Sequence, residues 1–200
     1  MESCNIFTEK FENTRCVDKR CNILLVGDSN TQKTRFHNSY TEEEQFCRND
    51  EPVGQITKLG MISTNYPFGT STLAHFYEVS DPETETFEKW VKKAQWILIF
   101  FNFENRQSFK NLPCWFNRIR KLRPTFTHIS IVGMNSDSKS EDKVTEEEMK
   151  ILNMNLNPHF RIFTVEGENM YAGSDAVYDH VFEHADLIDP KDYSSEEKDN

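Results

Sequence analysis

The residues with the clearest chemical potential lie in the stretch VGDSNTQKTRF, residues 26–36. A glycine, any four residues, a second glycine, a lysine and a serine or threonine form a loop that binds phosphate groups. Gly27, Lys33 and Thr34 fit this spacing, and Gln32 stands where the second glycine would be. The Lys33 side chain can supply positive charge, and the Thr34 hydroxyl can ligate a magnesium ion. The predicted loop comprises Gly27, Asp28, Ser29, Asn30, Thr31, Gln32, Lys33 and Thr34.

Gln32 is the departure from this loop pattern. Backbone N–H groups and a helix N-terminus bind the phosphates in such a loop, so the chain must approach them closely. A side chain at position 32 crowds the phosphate, and it resists backbone shapes that glycine adopts freely. The substitution therefore predicts weak or absent phosphate binding.

The surrounding segments predict an α/β sheet that positions the loop. CNILLV, residues 21–26, is typical of a buried strand that runs into the loop, and a helix should begin near Thr31 and run toward Tyr40. Residues 55–65 and 71–79 flank the turn signal YPFGT, so they predict a hairpin.

Further along the chain, predicted strands alternate with predicted helices. These elements are a helix over 83–93, a strand over 95–102, a helix over 104–122, a strand over 128–133, a helix over 145–153, a strand over 161–165 and a helix over 174–184. Pro113 should kink or begin the second of these helices, and TEEE at 145–148 is a capping box. The alternation predicts a mostly parallel sheet with helices on both faces and one antiparallel edge strand. Ligands of such sheets bind at the carboxyl ends of the strands.

Composition and charge restrict the partners and the compartment. The chain has 33 acidic and 23 basic residues, a net charge of −10, which argues against nucleic acid or anionic lipid as a partner. Its five cysteines are odd in number and contain no CxxC pair, which indicates a reduced compartment and a cytoplasmic location. Residues 1–20 are interpreted as a polar lead-in, 21–185 as one domain and 186–200 as a disordered acidic tail.

Three segments resemble the small GTPases of the Ras superfamily, and their Rab branch in particular. NILLVGDSNTQKTRF resembles the first strand and phosphate loop, and HISIVGMNSD resembles the strand before the guanine-recognition loop. WILIFFNFENRQSFKNLPCWFNRIRK resembles the fourth strand and the helix after it, with a Rab-like spacing of Ser, Phe, Asn, Leu and Trp. The resemblance implies a P-loop NTPase, small-GTPase (G-domain) fold with a six-stranded sheet. It also implies GTP or GDP with Mg²⁺ as cofactors, and protein effectors or regulators as partners.

The positions that this family uses for magnesium and hydrolysis are altered. The resemblance assigns the threonine of the first switch to Thr57, one place from the aligned residue, and the magnesium-side carboxylate to Glu78. With Thr34, these are the implied metal ligands. Asp81 replaces the glycine at the γ-phosphate, and Pro82 replaces the glutamine that orients the attacking water. Because proline has no N–H and no side-chain donor, no catalytic residue is assigned.

The positions that this family uses for guanine are partly retained. Asp137 aligns with the carboxylate that accepts hydrogen bonds from guanine, whereas Met134 and Asn135 replace the family's asparagine and lysine. Glu166 lies where a backbone N–H contacts the base. The resemblance therefore adds Asn135, Asp137 and Glu166 to the nucleotide-binding residues.

Two further features concern membranes and metals. Rab-like proteins usually end in prenylated cysteines, whereas the last cysteine here is Cys114, so no stable membrane anchor is expected. His180, Glu183 and His184 match the His-x-x-Glu-His pattern of an inverted zinc-protease motif. Two histidines four apart on a helix could share a metal, but the segment is interpreted as a surface helix of the domain.

The sequence predicts a Rab-like small GTPase fold that has become a pseudo-GTPase. It would bind guanine nucleotide weakly or not at all, lack efficient hydrolysis, and bind protein partners in intracellular signalling or vesicle traffic. The alternative is an atypical but genuine small GTPase with slow hydrolysis, which would bind GTP or GDP with Mg²⁺ through Lys33, Thr34, Glu78 and Asp137. A third possibility is a protein that holds nucleotide and never hydrolyses it.

Overall fold

Six strands form one sheet in the order β2-β3-β1-β4-β5-β6 in a computed structural model of the chain. The strands are β1 Lys19–Val26, β2 Gln55–Ile62, β3 Thr72–Val79, β4 Trp96–Asn102, β5 Ile129–Asn135 and β6 Arg161–Glu166. Neighbouring strands are parallel, except that β2 and β3 are antiparallel. The predicted fold class, a mostly parallel six-stranded sheet with one antiparallel edge strand, is therefore confirmed.

The structure describes residues 19–40, 55–62, 72–125, 128–135, 143–156 and 161–184. Most of the predicted lead-in, the turn at 66–70, Asp137 and the predicted acidic tail lie outside these ranges. The side chains of β2 are likewise not described, so Thr57 is placed only through its backbone.

Six α-helices are present in the described ranges, and each is too short or too polar to span a lipid bilayer. They are α1 Lys33–Tyr40, α2 Glu85–Lys93, α3 Arg106–Lys110, α4 Leu112–Leu122, α5 Glu146–Leu156 and α6 Met170–His184. The capping box before α5 is formed as predicted, because Thr145 and Glu148 exchange two hydrogen bonds between side chain and backbone. Pro113 lies in the first turn of α4, where its missing N–H costs nothing, so a new helix begins there.

Two helix starts differ from the prediction. The first, α1, begins at Lys33 rather than near Thr31, because Gln32 has a positive φ that no α-helix accommodates. The last, α6, begins at Met170 rather than at Ser174, after a 3₁₀ turn over Gly167–Asn169. Ser174 resembles an N-cap in sequence, but its hydroxyl donates to the Tyr171 carbonyl inside the helix.

The sheet carries a hydrophobic core on each face. Leu24 and Val26 of β1 belong to the core under α2 and α4, whereas Ile23 and Leu25 belong to the core under α1 and α6. This alternation follows from the two-residue period of a strand. β4 is buried along its whole length, as expected for a strand covered on both faces. The rigid centre of the sheet therefore fixes where β1 and β4 end and where the phosphate-loop sequence begins.

Candidate functional site

The loop between β1 and α1 has the backbone shape that its sequence pattern predicts. Gly27 has φ 141°, and a Cβ at this position would lie 2.4 Å from the carbonyl oxygen of Phe100. No other residue fits there without displacing β4. Asn30 and Gln32 are also left-handed, with φ of 65° and 63°. The loop therefore turns sharply before α1, with Asn30 at a position where asparagine is tolerated.

Gln32 adopts the conformation that a glycine would adopt at the same place. For a residue with a Cβ this conformation costs roughly 1–2 kcal/mol, so the expected resistance to this shape does not prevent it. Its Oε1 accepts a hydrogen bond of 3.2 Å from Nη1 of Arg35 in an exposed position. The side chain thus has a partner on α1, and the substitution strains the loop while leaving its path intact.

Lys33 is directed into the loop and is almost fully buried. Its Nζ donates to the carbonyl oxygens of Gly27 at 2.7 Å and of Asp28 at 2.9 Å, and to Oγ1 of Thr31 at 3.2 Å. An ammonium group has three hydrogens, so each has an acceptor. Burial lowers the pKa of Lys33 to about 8, although the carboxylates of Glu78 and Asp28 oppose the shift. The lysine therefore holds the loop closed and places its positive charge at the base of the loop.

Thr34 and Glu78 are brought together as the resemblance implies. The Thr34 hydroxyl lies 2.9 Å from both carboxylate oxygens of Glu78, to which it donates. A hydroxyl and a carboxylate are the hard oxygen ligands that Mg²⁺ requires, so this donor set fits the metal. Thr57 lies on β2, where its backbone is paired with Tyr77, the residue before Glu78. Thr34 and Glu78 therefore meet at the end of β3, and Thr57 is placed on the neighbouring strand only through its backbone.

An open cavity of about 480 Å³ lies beside these residues. It is lined by residues 29–35, Glu78 and Ser80. Its volume is within the range of sites for small ligands, and the N-terminus of α1 opens toward it, a position suited to an anion. The cavity therefore has room, backbone donors and oxygen ligands where a phosphate chain and its magnesium would bind.

Asp28 anchors the loop to the other side of the domain. Its Oδ1 accepts from Nε1 of Trp115 at 2.8 Å, and its Oδ2 accepts from Nδ2 of Asn111 at 2.7 Å. Both donors belong to the start of α4 or its cap. The sequence predicted Asp28 only as a residue of the phosphate loop. The Asn and Trp of the Rab-like pattern, which are Asn111 and Trp115, were the sequence feature that could have predicted this contact.

The segment after β3 is tied to its own backbone and to α4. Oδ1 of Asp81 accepts from the Glu83 N–H at 2.9 Å, and Thr84 caps α2 by accepting from the Phe87 N–H. Nε of Arg118 donates to the carbonyl of Pro82 at 3.2 Å, and its Nη2 lies 3.0 Å from Oε2 of Glu83. The sequence did not predict a role for Arg118. Its partners lie in a different part of the chain and come into contact with it only because α4 packs beside this turn.

Asn135 and Glu166 meet at the neighbouring strand ends. The two residues are register partners on β5 and β6, and Nδ2 of Asn135 donates to Oε2 of Glu166 at 2.6 Å. Oδ1 of Asn135 is buried and has no hydrogen-bond partner among the described residues. Met134, which the resemblance aligns with an asparagine of the guanine-recognition loop, is only 1% exposed and packs in the core.

Comparison with known proteins agrees with this geometry. The sequence profile of the Ras family matches residues 22–170, and the chain belongs to this family. Its relatives include the Ras-related protein Rab-11B of Dictyostelium discoideum, 27% identical over 143 residues that cover 66% of this chain and 60% of the relative. Ras-related protein RABA6b of Arabidopsis thaliana is 24% identical over 142 residues, which cover 68% of this chain and 60% of the relative. The chain thus spans about 60% of the length of these curated relatives.

Proposed function

We propose that this Rab-like member of the Ras family is a pseudo-GTPase that works as a protein-binding module in the cytoplasm. It binds guanine nucleotide weakly or not at all, and it lacks efficient hydrolysis. Its partners are protein effectors or regulators in intracellular signalling or vesicle traffic. The proposal combines the family assignment with the chemistry of the residues that differ from the family's usual pattern.

The observation that carries the proposal is the turn at Asp81 and Pro82. Hydrolysis in this class requires a side chain that orients the attacking water. Pro82 has no donor in its side chain and no backbone N–H, and its carbonyl accepts from Arg118. Asp81 directs an oxygen toward the Glu83 N–H and is the residue after Ser80, which lines the cavity. The turn therefore leads into the Thr84 cap of α2, and Pro82 offers no donor that could position a water.

Weak nucleotide binding follows from the number of altered contacts. Hydrogen bonds to charged groups contribute roughly 1.5–3 kcal/mol each. The resemblance aligns Lys58, the residue after Thr57, with the family's switch threonine, and Lys58, Asp81 and Met134 stand where the family makes such contacts. The loss of the three contacts could remove on the order of 4–9 kcal/mol, although such terms rarely add cleanly. Each 1.4 kcal/mol corresponds to about a tenfold loss of affinity.

The residues that remain would hold the phosphates and the metal if nucleotide binds. Loop N–H groups and the Lys33 charge would hold the phosphates, and Thr34 and Glu78 would hold Mg²⁺. A bound Mg²⁺ would neutralise charge on the phosphates. Asp137 and Glu166 would lie nearest the base according to the resemblance.

A slow but genuine GTPase is the second candidate. It is favoured by the shape of the loop, because Gly27, Asn30 and Gln32 have the positive φ values of a closed phosphate loop. The convergence of Thr34 and Glu78 also favours it. A protein that had lost all nucleotide binding would have no need of either feature.

The nucleotide content of the purified protein separates the two candidates. The protein is denatured, and the supernatant is examined by chromatography for guanine nucleotide. GDP and GTP are then titrated with Mg²⁺ by calorimetry, with Lys33→Ala as the test variant and the exposed Lys92→Ala as its matched control. We expect no stoichiometric nucleotide and a weak or undetectable heat. Stoichiometric GDP that is lost only in Lys33→Ala, or phosphate release over several turnovers, would favour the second candidate.

The protein-binding part of the proposal has its own test. Partners captured by crosslinking from cells are compared between the wild type and Lys33→Ala, with Lys92→Ala again as control. A binding module without a nucleotide switch should capture the same partners in all three forms. Partners that depend on added GTP analogue and disappear in Lys33→Ala would contradict it.

A further inference from the structure

One turn of α6 carries three side chains that can ligate a metal. His180, Glu183 and His184 each offer one ligand atom, and these atoms lie within 4.8 Å of one another. The two imidazole rings are 4.3 Å apart, centroid to centroid. The sequence motif was interpreted as an ordinary surface helix, but the structure shows that the three side chains do converge.

A backbone hydrogen bond determines which ring nitrogen of His184 carries the lone pair. Its Nδ1 lies 2.9 Å from the carbonyl oxygen of His180. A carbonyl can only accept, so Nδ1 carries the hydrogen and Nε2 is left with the lone pair. This is the arrangement by which a hydrogen bond at one ring nitrogen prepares the other for a metal.

His180 is held by residues at the amino ends of the strands. Its ring contacts Trp96 of β4 edge-on at 5.5 Å and Phe163 of β6 at 5.4 Å. Nη1 of Arg161 lies 3.3 Å from Nδ1 of His180. Arginine only donates, so Nδ1 is the acceptor in this contact. The ring is therefore positioned by packing, and Arg161 competes for it with a hydrogen bond and a positive charge.

We propose that His180, Glu183 and His184 form a binding site for a divalent transition metal of the zinc class. Two imidazoles and one carboxylate are ligands that zinc accepts, with a fourth position left for water or a residue of another molecule. Zinc–ligand bonds of about 2.0–2.1 Å place tetrahedral ligand atoms about 3.3 Å apart. The three ligand atoms lie within 4.8 Å of one another, so the exposed Glu183 and His184 side chains would move closer when zinc binds.

This site is independent of the phosphate loop. The strands β4, β5 and β6 are parallel, and the loop sequence lies at their carboxyl edge. The site lies at the opposite edge, because His180 contacts Trp96, the first residue of β4. A metal bound there has no part in nucleotide chemistry.

Zinc titration followed by NMR tests the proposal directly. Zn²⁺ is added to the full chain while the imidazole ¹H–¹³C signals of its six histidines are recorded. We expect two of the six to shift together at a stoichiometry of one, and the same two signals to be those missing in His180→Ala and His184→Ala. Binding that leaves the imidazole signals unmoved, through cysteines or acidic residues, would overturn the proposal.

Three variants sharpen the test by calorimetry with Zn²⁺. His184→Ala should weaken binding at least about tenfold, the scale of losses at metal sites. His128→Ala is the matched control, since His128 also stacks on Trp96 but is not one of the three ligands. Arg161→Met should tighten binding, because it removes the competing donor and keeps an apolar chain over Phe163. Equal affinity in the wild type and His184→Ala would overturn the proposal, whereas Lys33→Ala should bind Zn²⁺ as the wild type does.

Discussion

The loop after β1 and the turn after β3 lie side by side at one edge of the sheet, but they differ in how closely they match the pattern that the resemblance implies. The loop keeps its left-handed residues, its buried lysine and its cavity despite the change at Gln32. The turn has Asp81 and Pro82 where the resemblance implies a glycine and a glutamine, and it leads into the Thr84 cap of α2. A backbone shape tolerates a substitution that the backbone can follow, whereas under the proposed function a role carried by one side chain is lost with that side chain.

The largest expected effect tests whether the loop requires a glycine at position 27, as the structure indicates. Gly27→Ala would place a Cβ 2.4 Å from the Phe100 carbonyl at a φ of 141°, so β1 and β4 must separate. We expect a loss of more than about 4 kcal/mol in the free energy of unfolding, which is exceptional for one residue. Urea unfolding measures it, with Ser29→Ala in the same loop as a control that should change stability by less than about 0.5 kcal/mol. A loss below 1 kcal/mol in Gly27→Ala would show that the loop adapts.

The next effect concerns the buried charge of Lys33. Its pKa is about 8 in the folded chain and near 10.5 when exposed. Below pH 8 both states are protonated, and between pH 8 and 10.5 the unfolded state binds more protons. The stability of the wild type should therefore rise with pH across this window, by on the order of 3 kcal/mol at most.

Comparison with Lys33→Met isolates this contribution from other titrating groups. Urea unfolding of both proteins is measured at several values between pH 7 and 10.5. The difference in unfolding free energy should shift in favour of the wild type as the pH rises. A difference that stays constant would mean that Lys33 keeps its ordinary pKa and is less buried than the geometry indicates.

The anchor between the loop and α4 is the third test. Asp28→Ala removes the acceptor for Trp115 and Asn111 and leaves both donors without it. Because the Trp115 side chain is buried, we expect a loss of about 2–4 kcal/mol, which includes the penalty for unpaired donors. Trp115→Phe removes the N–H together with part of the buried indole ring. A double-mutant cycle with Asp28→Ala separates the pairwise term from this lost packing, and the coupling energy should be above about 1 kcal/mol. Additive effects would show that the two side chains act separately.

The sequence predicted well the elements that show in a regular pattern of apolar residues or in a short motif. It predicted poorly the contacts between residues that are distant in the chain. The alternating and continuous apolar runs predicted all six strands, and the capping box predicted α5. The phosphate-loop spacing predicted Lys33 and Thr34, and the resemblance added Glu78. Asn111, Trp115 and Arg118 were missed as site residues, because their partners are 30–87 positions away and appear only after the helices pack.

A smaller effect tests the rigidity of the turn after β3. Arg118→Ala removes the donor to the Pro82 carbonyl and the ion pairs with Glu83 and Glu88. Exposed ion pairs contribute little, so we expect only about 1 kcal/mol of lost stability. Amide hydrogen exchange at residues 81–84 should nevertheless become faster, because the turn loses its tie to α4. Glu83→Gln, which keeps the backbone contact, should leave the exchange of this turn nearly unchanged, and equal exchange in both variants would contradict the role of Arg118.

The smallest effect separates the two ways in which Gln32 could weaken phosphate binding. Gln32→Gly removes both the left-handed strain and the side chain, and it should raise stability by about 1 kcal/mol. Gln32→Asn keeps an amide but tolerates the same φ, so it relieves mainly the strain. Because the Gln32 side chain contacts Arg35 rather than Lys33, we expect both variants to be more stable and to bind GDP less than about tenfold better than the wild type. If calorimetry shows a large gain in affinity for Gln32→Gly and none for Gln32→Asn, crowding by the side chain, and not the shape of the loop, is what weakens the site.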